Sequence, residues 1–191
     1  MRYNSVHIPI SGIFRSGGYY YRCDNANSVT GAAAALTLNA MYLLPITVAK
    51  NTAIDRISCY VVAAGSGGNT HRMGIYANVG PGAYPGALLV DGGAVATESA
   101  AAEAYVPISK VLTRGIWWLA IVAQGGVQAT LSQVASSSGS PLIPATALVG
   151  ASVALPSRYS ESPVVGALPA TYTGATILAV NSSPIVALRT A

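Results

Sequence analysis

Short apolar runs, each bounded by Gly, Pro, Asn or Ser, recur along the chain from Leu36 onward. They read MYLLPITV, AIDRISCYVVAA, HRMGIYA, GALLVDGGAVAT, EAYVPIS, RGIWWLAIVAQ, VQATLSQVA, ATALVGASVAL, ATILAV and SPIVALRT. Many short strands separated by turn residues predict an all-β sandwich or barrel. The period of two is clearest in AIDRISCYVV, where Ile57, Cys59 and Val61 share one face and Ser58, Tyr60 and Val62 the other. GIWWLAIVA departs from it by being apolar on both faces. A strand of that kind belongs at the centre of a sandwich or has one face against another subunit.

Residues 1–14 read as an extended arm, because His7, Ile8, Pro9 and Ile10 alternate and Pro9 excludes a helix interior. Ser16-Gly17-Gly18 reads as a turn and Tyr19 to Cys23 as a strand, through its aromatics. In HRMGIYANVGPGAYPGALLVDGG, Arg72 to Tyr76 predicts one strand, Pro81 to Gly86 a turn, and Leu88 to Val90 the next strand. The Ala-rich stretches Gly31 to Ala35 and Thr97 to Ala104 hold the best helix former but are short, and predict turns or a single helical turn. The polar tract Ser136 to Pro141 predicts a long surface loop. With no repeat of fixed period, the chain divides into the arm and one sandwich domain over 15–191.

Composition narrows the function. Hydrophobic residues make up 52% and charged residues 8%, beside 20 Gly and 11 Pro. That is too apolar for disorder and too rich in turn formers for long helices. The net charge of +4 comes from ten Lys and Arg that stand singly, without the dense basic face nucleic acid requires, so no nucleic-acid partner is expected. Soluble monomers carry roughly a quarter or more charged residues on their surfaces. So sparse a set predicts a homo-oligomer or a subunit of a larger assembly. Residues 31–49, GAAAALTLNAMYLLPITVA, are uncharged for long enough to raise a spanning helix. Thr37, Asn39, Pro45 and Thr47 weaken it and its β-branched end favours a strand, so no membrane insertion is expected. The opening MRYNSVHIPISGIF lacks the apolar core and cleavage site of a signal peptide.

Candidate chemistry is thin. No G-x-S-x-G elbow is present, and the histidines are His7 and His71, the latter beside Arg72 after a Gly-Ser-Gly-Gly tract that suits an exposed loop end. Cys23 and Cys59 could pair, although a buried free thiol suits Cys59 in ISCYVV better. With His7 and His71 they make none of the close pairs of a zinc site, so neither a metal nor another cofactor is expected. The carboxylates are Asp24, Asp55, Asp91, Glu98, Glu103 and Glu161. Two could form a glycosidase pair, but Asp55 is accounted for by Arg56 at a strand start and Asp91 by an Asp-Gly turn. GPGAYPG has no lysine, and its prolines remove donors a phosphate would need, so it is a turn device. Trp117 and Trp118, adjacent on a strand, must point to opposite sides. One of them, or Tyr84, could stack on the apolar face of a sugar or a partner.

The successions LTLNAMYLLPITVAKNTAIDRISCYV, RMGIYANVGPGAYPGALLVDGG, LTRGIWWLAIVAQGG, ALPATY and SPIVALR resemble β-rich modules of tailed-bacteriophage virion proteins of the tail-fibre and minor tail type, from Tyr19 to Arg189. The resemblance implies a jelly-roll-like β-sandwich carried on the virion, assembled in the host cytoplasm without secretion, and used in host-surface attachment or head decoration. It implies partners among other virion proteins, further copies of the chain, a trimer among the options, and a host-surface glycan. It carries no catalytic signature and no fibre shaft, which leaves the arm around His7 to Ile10 as the docking element. A carbohydrate-binding module and a polysaccharide-degrading enzyme are the alternatives.

Overall fold

A computed structural model describes residues 15–23, 32–80, 82–135, 156–174, 176–179 and 182–191. Among these the elements are strands: β1 (Tyr20–Arg22), β2 (Ala32–Ala35), β3 (Met41–Val48), β4 (Thr52–Ala63), β5 (Thr70–Asn78), β6 (Pro85–Ala96), β7 (Ala102–Leu112), β8 (Gly115–Gln124), β9 (Thr130–Ala135), β10 (Pro156–Glu161), β11 (Thr176–Ala179), β12 (Ser182–Pro184) and β13 (Val186–Thr190). The expected arm with His7, Ile8, Pro9 and Ile10, the Ser136 to Pro141 tract and the ATALVGASVAL run lie outside the described residues.

The strands pair antiparallel in two sheets. Sheet B has the order β11-β10-β3-β8-β5-β6; sheet A runs β1-β13-β4-β9-β12, with β7 also on β4 and β2 on β9. The long pairs are nested, β3 with β8, β4 with β7 and β5 with β6, and successive pairs fall in alternate sheets. Near the end of the chain, β12 follows β9 and β13 then follows β4, filling the fork where those two strands diverge.

Between the sheets lies the larger core. Sheet B contributes Leu44, Ile46, Met73, Ile75, Leu119 and Ile121, and sheet A contributes Ile57, Cys59, Val61, Val106, Leu131 and Leu188. The alternation read in AIDRISCYVV holds, with Ile57, Cys59 and Val61 buried and Tyr60 and Val62 exposed. Residues 31–49 contribute β2 and β3, and no described helix is long and apolar enough to cross a membrane. Within that Ala-rich stretch, Ala32 to Ala35 are corrected from a turn or single helical turn to strand. Ala32 to Ala35 register against Gln133 to Thr130, a ladder that overrides alanine's helical preference. The Thr97 to Ala104 stretch splits, its end entering β7 at Ala102.

The apolar second face of GIWWLAIVA is covered by the chain itself. Trp118, Ala120 and Val122 pack with Met41, Leu43 and Tyr76 under Tyr159, Val164, Leu168 and Tyr172. The covering residues come from β10 and from a strap, residues 162–174, that leaves β10, one strand in from the β11 rim of sheet B, and reaches β6 at the opposite rim. There Leu88 N donates to Ala170 O and Tyr172 N to Gly86 O, both at 2.9 Å. Phenols fasten it, with Tyr76 OH donating to Pro169 O at 2.8 Å, Tyr84 OH to Gly174 O at 2.7 Å and Tyr172 OH to Ser160 O at 3.0 Å. Gly74 explains how Leu168 seats, because a Cβ there would collide with Leu168 Cδ1 and Val90 O.

Asp91 is the polar clamp on this strap, and it sits inside β6 where an Asp-Gly turn was expected. Gly92 is the extra residue of a bulge, Met73 facing Gly93 and Gly74 facing Asp91. The carboxylate accepts Arg72 Nε and Nη2 at 2.8 Å each, Gly93 N at 3.1 Å and Leu168 N at 3.2 Å. Burial alone would raise its pKa, but these donors outweigh burial and hold it below the ordinary value. Asp91→Ala is expected to cost about 2 kcal/mol and to speed amide exchange at Leu168 and Tyr172. Unchanged protection of those amides would refute the clamp.

The β5–β6 connection answers to Asn78, which sequence patterning passes over. Its Nδ2 donates to Gly82 O at 2.9 Å and Gly80 O at 3.3 Å, and its Oδ1 accepts Tyr84 N and Trp118 Nε1 at 3.0 Å each. β6 already begins at Pro85, so the turn is shorter than Pro81 to Gly86 suggests.

At the other end of β5 the expected exposed His71 is fully buried. Thr97 Oγ1 donates to Asn69 Oδ1, so it accepts from His71 Nδ1 at 2.9 Å, which places the ring proton on Nδ1. Asn69 also accepts Ala129 N at 3.2 Å and donates to Gln128 Oε1 at 2.9 Å, tying three connections together. Gly126 lies where the 65–69 and 125–129 connections cross, at φ 42°, and a Cβ there would strike Ser66 O.

Candidate functional site

Of the three aromatic residues expected as candidate stacking platforms, Trp118 and Tyr84 pack together in the smaller core and Trp117 lies against the larger one. Trp118 is fully buried beneath the strap, its ring 5.3 Å from that of Tyr159, and so has no face to offer a ligand. Tyr84 belongs to the same cluster, its ring 5.2 Å from Tyr159 and 5.5 Å from Tyr172. Trp117 points the other way, against the edge of the larger core, with Nε1 donating to Thr113 O at 2.9 Å. Strand geometry had set the two tryptophans on opposite sides. The strap then closed the side Trp118 faces.

Three exposed aromatics lie instead on the outer face of sheet A. Tyr20, Tyr105 and Tyr60 are 46%, 43% and 48% exposed. Register fixes their arrangement: Tyr20, Arg189, Arg56 and Pro107 form one row across β1, β13, β4 and β7, and Ala187, Ser58 and Tyr105 form the next. Tyr60 stands opposite Glu103 on β7, one diagonal step from Tyr105, about 7–8 Å away by strand geometry.

Charged groups brace this face. Tyr20 OH donates to Glu103 Oε2 at 2.9 Å and accepts Arg56 Nη1 at 3.3 Å, so one phenol links β1 to β7 across two strands. Arg56 Nη1 also lies 3.5 Å from Glu103 Oε2, and its guanidinium carbon sits 4.1 Å from the centre of the Tyr105 ring. Arg189 grips Asp55 through Nε and Nη2, the first bond at 2.8 Å. That hydrogen-bonded grip, with the charges of Arg189 and Arg56, holds the Asp55 carboxyl below its ordinary pKa. Arg56, 3.9 Å away, is thus the lesser partner of Asp55.

Beside this face a cleft of about 500 Å³ opens at the rim between β6 and β7. Ala96, Ala102 and Ala104 leave the space, and Ser99, Glu103 and Tyr105 edge it. Among the described residues β7 pairs only with β4, so its other backbone edge is open along the cleft.

Among the described residues the other thiols and carboxylates are engaged or sealed. Cys23 and Cys59 are buried, and burial, with the nearby Glu103 charge, pushes Cys59 up to about 12. Glu98 accepts Gly68 N at 2.8 Å and Glu161 accepts Thr173 N at 3.2 Å. No cluster of His, Cys, Asp and Glu able to hold a metal occurs among the described residues. What the exposed groups offer chemically is stacking and hydrogen bonding on a rigid face. The chain matches no family model, no curated protein and no solved structure, so the chemistry of its own surface is what bears on its function.

Proposed function

We propose that this chain is a structural and adhesive module of a tailed-bacteriophage particle, a tail-fibre or tail-tip adhesin or a head decoration subunit, and not an enzyme. The outer face of sheet A carries the reading: exposed Tyr20 and Tyr105 cross-braced by Arg56 and Glu103, with exposed Tyr60 beside them, a rigid aromatic surface of the kind that anchors recognition. The resemblance of its strand and turn succession to virion modules points the same way. A jelly-roll-like course is supported by the nested pairs β3 with β8 and β4 with β7, as a long hairpin rolled on itself produces. Assembly into a homo-oligomer, a trimer among the closed forms, is supported by the sparse charge and by the open β7 edge beside Val111, which is 58% exposed.

Antibody against the purified protein, applied with gold to intact particles, is expected to decorate the tail or the head surface. Sedimentation of the isolated chain is expected to give a multiple of its 19.3 kDa mass. Purified particles lacking the protein would end the virion reading, and a lone 19.3 kDa species at high concentration would end the oligomer.

A further inference from the structure

The rim cleft and the tyrosine face meet at Glu103 and Tyr105, which belong to both. We infer that this junction is a binding site for a neutral hexose-built glycan, an inference that rests on the adhesive reading and gives it a ligand class. Three features converge on that chemistry. Arg56 covers one face of the Tyr105 ring, which fixes its plane, and Tyr105 also lines the cleft. A pyranose presents an apolar C–H face of that size, and an aromatic ring backed by a cation is a firm surface for it.

The second feature is the carboxylate. Glu103 Oε2 is occupied by the phenol of Tyr20 and by Arg56, so the group is held in one orientation. Its Oε1 is left to accept sugar hydroxyls, and the Ser99 hydroxyl edges the same space. Because Arg56 balances Glu103 locally, the site has no net charge with which to select an acidic sugar. The third feature is the floor. Ala96, Ala102 and Ala104 with Val61 and Val95 make it apolar and shallow, and its volume lies within the roughly 300–1,000 Å³ usual for small-ligand sites.

A printed array of neutral gluco-, manno-, galacto- and N-acetylglucosamine oligosaccharides is the probe, and the best binder is then titrated into the labelled full chain by NMR. Saturable shifts are expected at Ser99 and from Ala102 to Tyr105. Tyr105→Ala should weaken binding at least ten-fold. So should Ala96→Leu, which fills the cleft from an exposed position and removes no polar group; preserved spectral dispersion shows that both variants fold. An array with no bound sugar, binding indifferent to both variants, or edge shifts produced only by added unlabelled protein would each overturn the site. Those failures leave the particle location untouched, whereas absence from particles with sugar binding intact would overturn the adhesin reading and keep the site.

Discussion

Trp118→Ala is expected to destabilise the fold by about 3–5 kcal/mol, the cost of emptying a large buried aromatic position. The ring is fully buried at the centre of the smaller core, within 5.3 Å of Tyr159, and no neighbouring backbone is free to collapse into the void. Strap residues above it are pinned by Asp91 and three phenols, and β8 below it is paired on both sides. The change also removes a donor from Asn78, whose Oδ1 keeps only Tyr84 N. Trp117→Ala is the contrast. That ring is half-buried at a core edge, and its loss should cost about 1–2 kcal/mol. Urea unfolding of both variants checks the pair; equal shifts, or a Trp118→Ala loss below about 1 kcal/mol, would mean that the strap does not seal the ring.

Acid is expected to destabilise the protein in two stages, beginning with His71. Burial lowers its pKa from 6.5 to about 4 in the folded chain. The group is neutral when folded, so its contribution is whole above pH 6.5. Below that value the unfolded chain takes up a proton that the folded chain refuses. Stability then falls toward pH 4 by about 3 kcal/mol and this loss levels off beneath it. Geometry agrees with the direction: Nδ1 already donates to Thr97, and Nε2 has no hydrogen-bond partner among the described residues to receive a second proton's charge. The second stage belongs to Asp55 and Asp91. Their folded pKa values lie below 3.8, so the stability they lend is present above that value and lost as pH falls through the folded ones. Unfolding free energies between pH 7 and 3 should show the first slope, and His71→Gln should flatten it between pH 6.5 and 4. A slope that survives His71→Gln would place its origin elsewhere.

Much of the sandwich is legible in the sequence because it depends on a period of two. Ile57, Cys59 and Val61 alternate with Tyr60 and Val62 in the chain as they do in the sheet, and the two-faced GIWWLAIVA takes an interior place in sheet B. The strap is not legible. Val164, Leu168 and Tyr172 recur at every fourth residue among Pro, Gly and Ser instead of at the strand period of two, and the small Gly74 and Ala120 beneath them make a seat. That one omission explains two misreadings: Trp118 as a surface platform, and the second face of β8 as one that could need a neighbour. His71 reads as a loop residue because a Gly-rich tract precedes it, yet β5 has begun by Thr70 and the alternation that buries Met73 and Ile75 buries His71 too. Tyr60 and Tyr105 could have been found, since each sits out of phase with the buried residues on either side. Their convergence with Tyr20 could not, because it needs β13 to lie between β1 and β4.

The strap has a mechanical consequence. Strands that slide along one another ordinarily resist only through their ladders, yet here a continuous length of backbone leaves β10, passes over β3, β8 and β5, and is moored on the edge strand β6. Shear on that wall must therefore tension the crossing piece before neighbouring strands slip, as lacing stiffens a panel. Among the described residues the opposite wall has no such lacing, and its resistance to slip rests on the side-chain ties that Arg56 and Glu103 make across its strands.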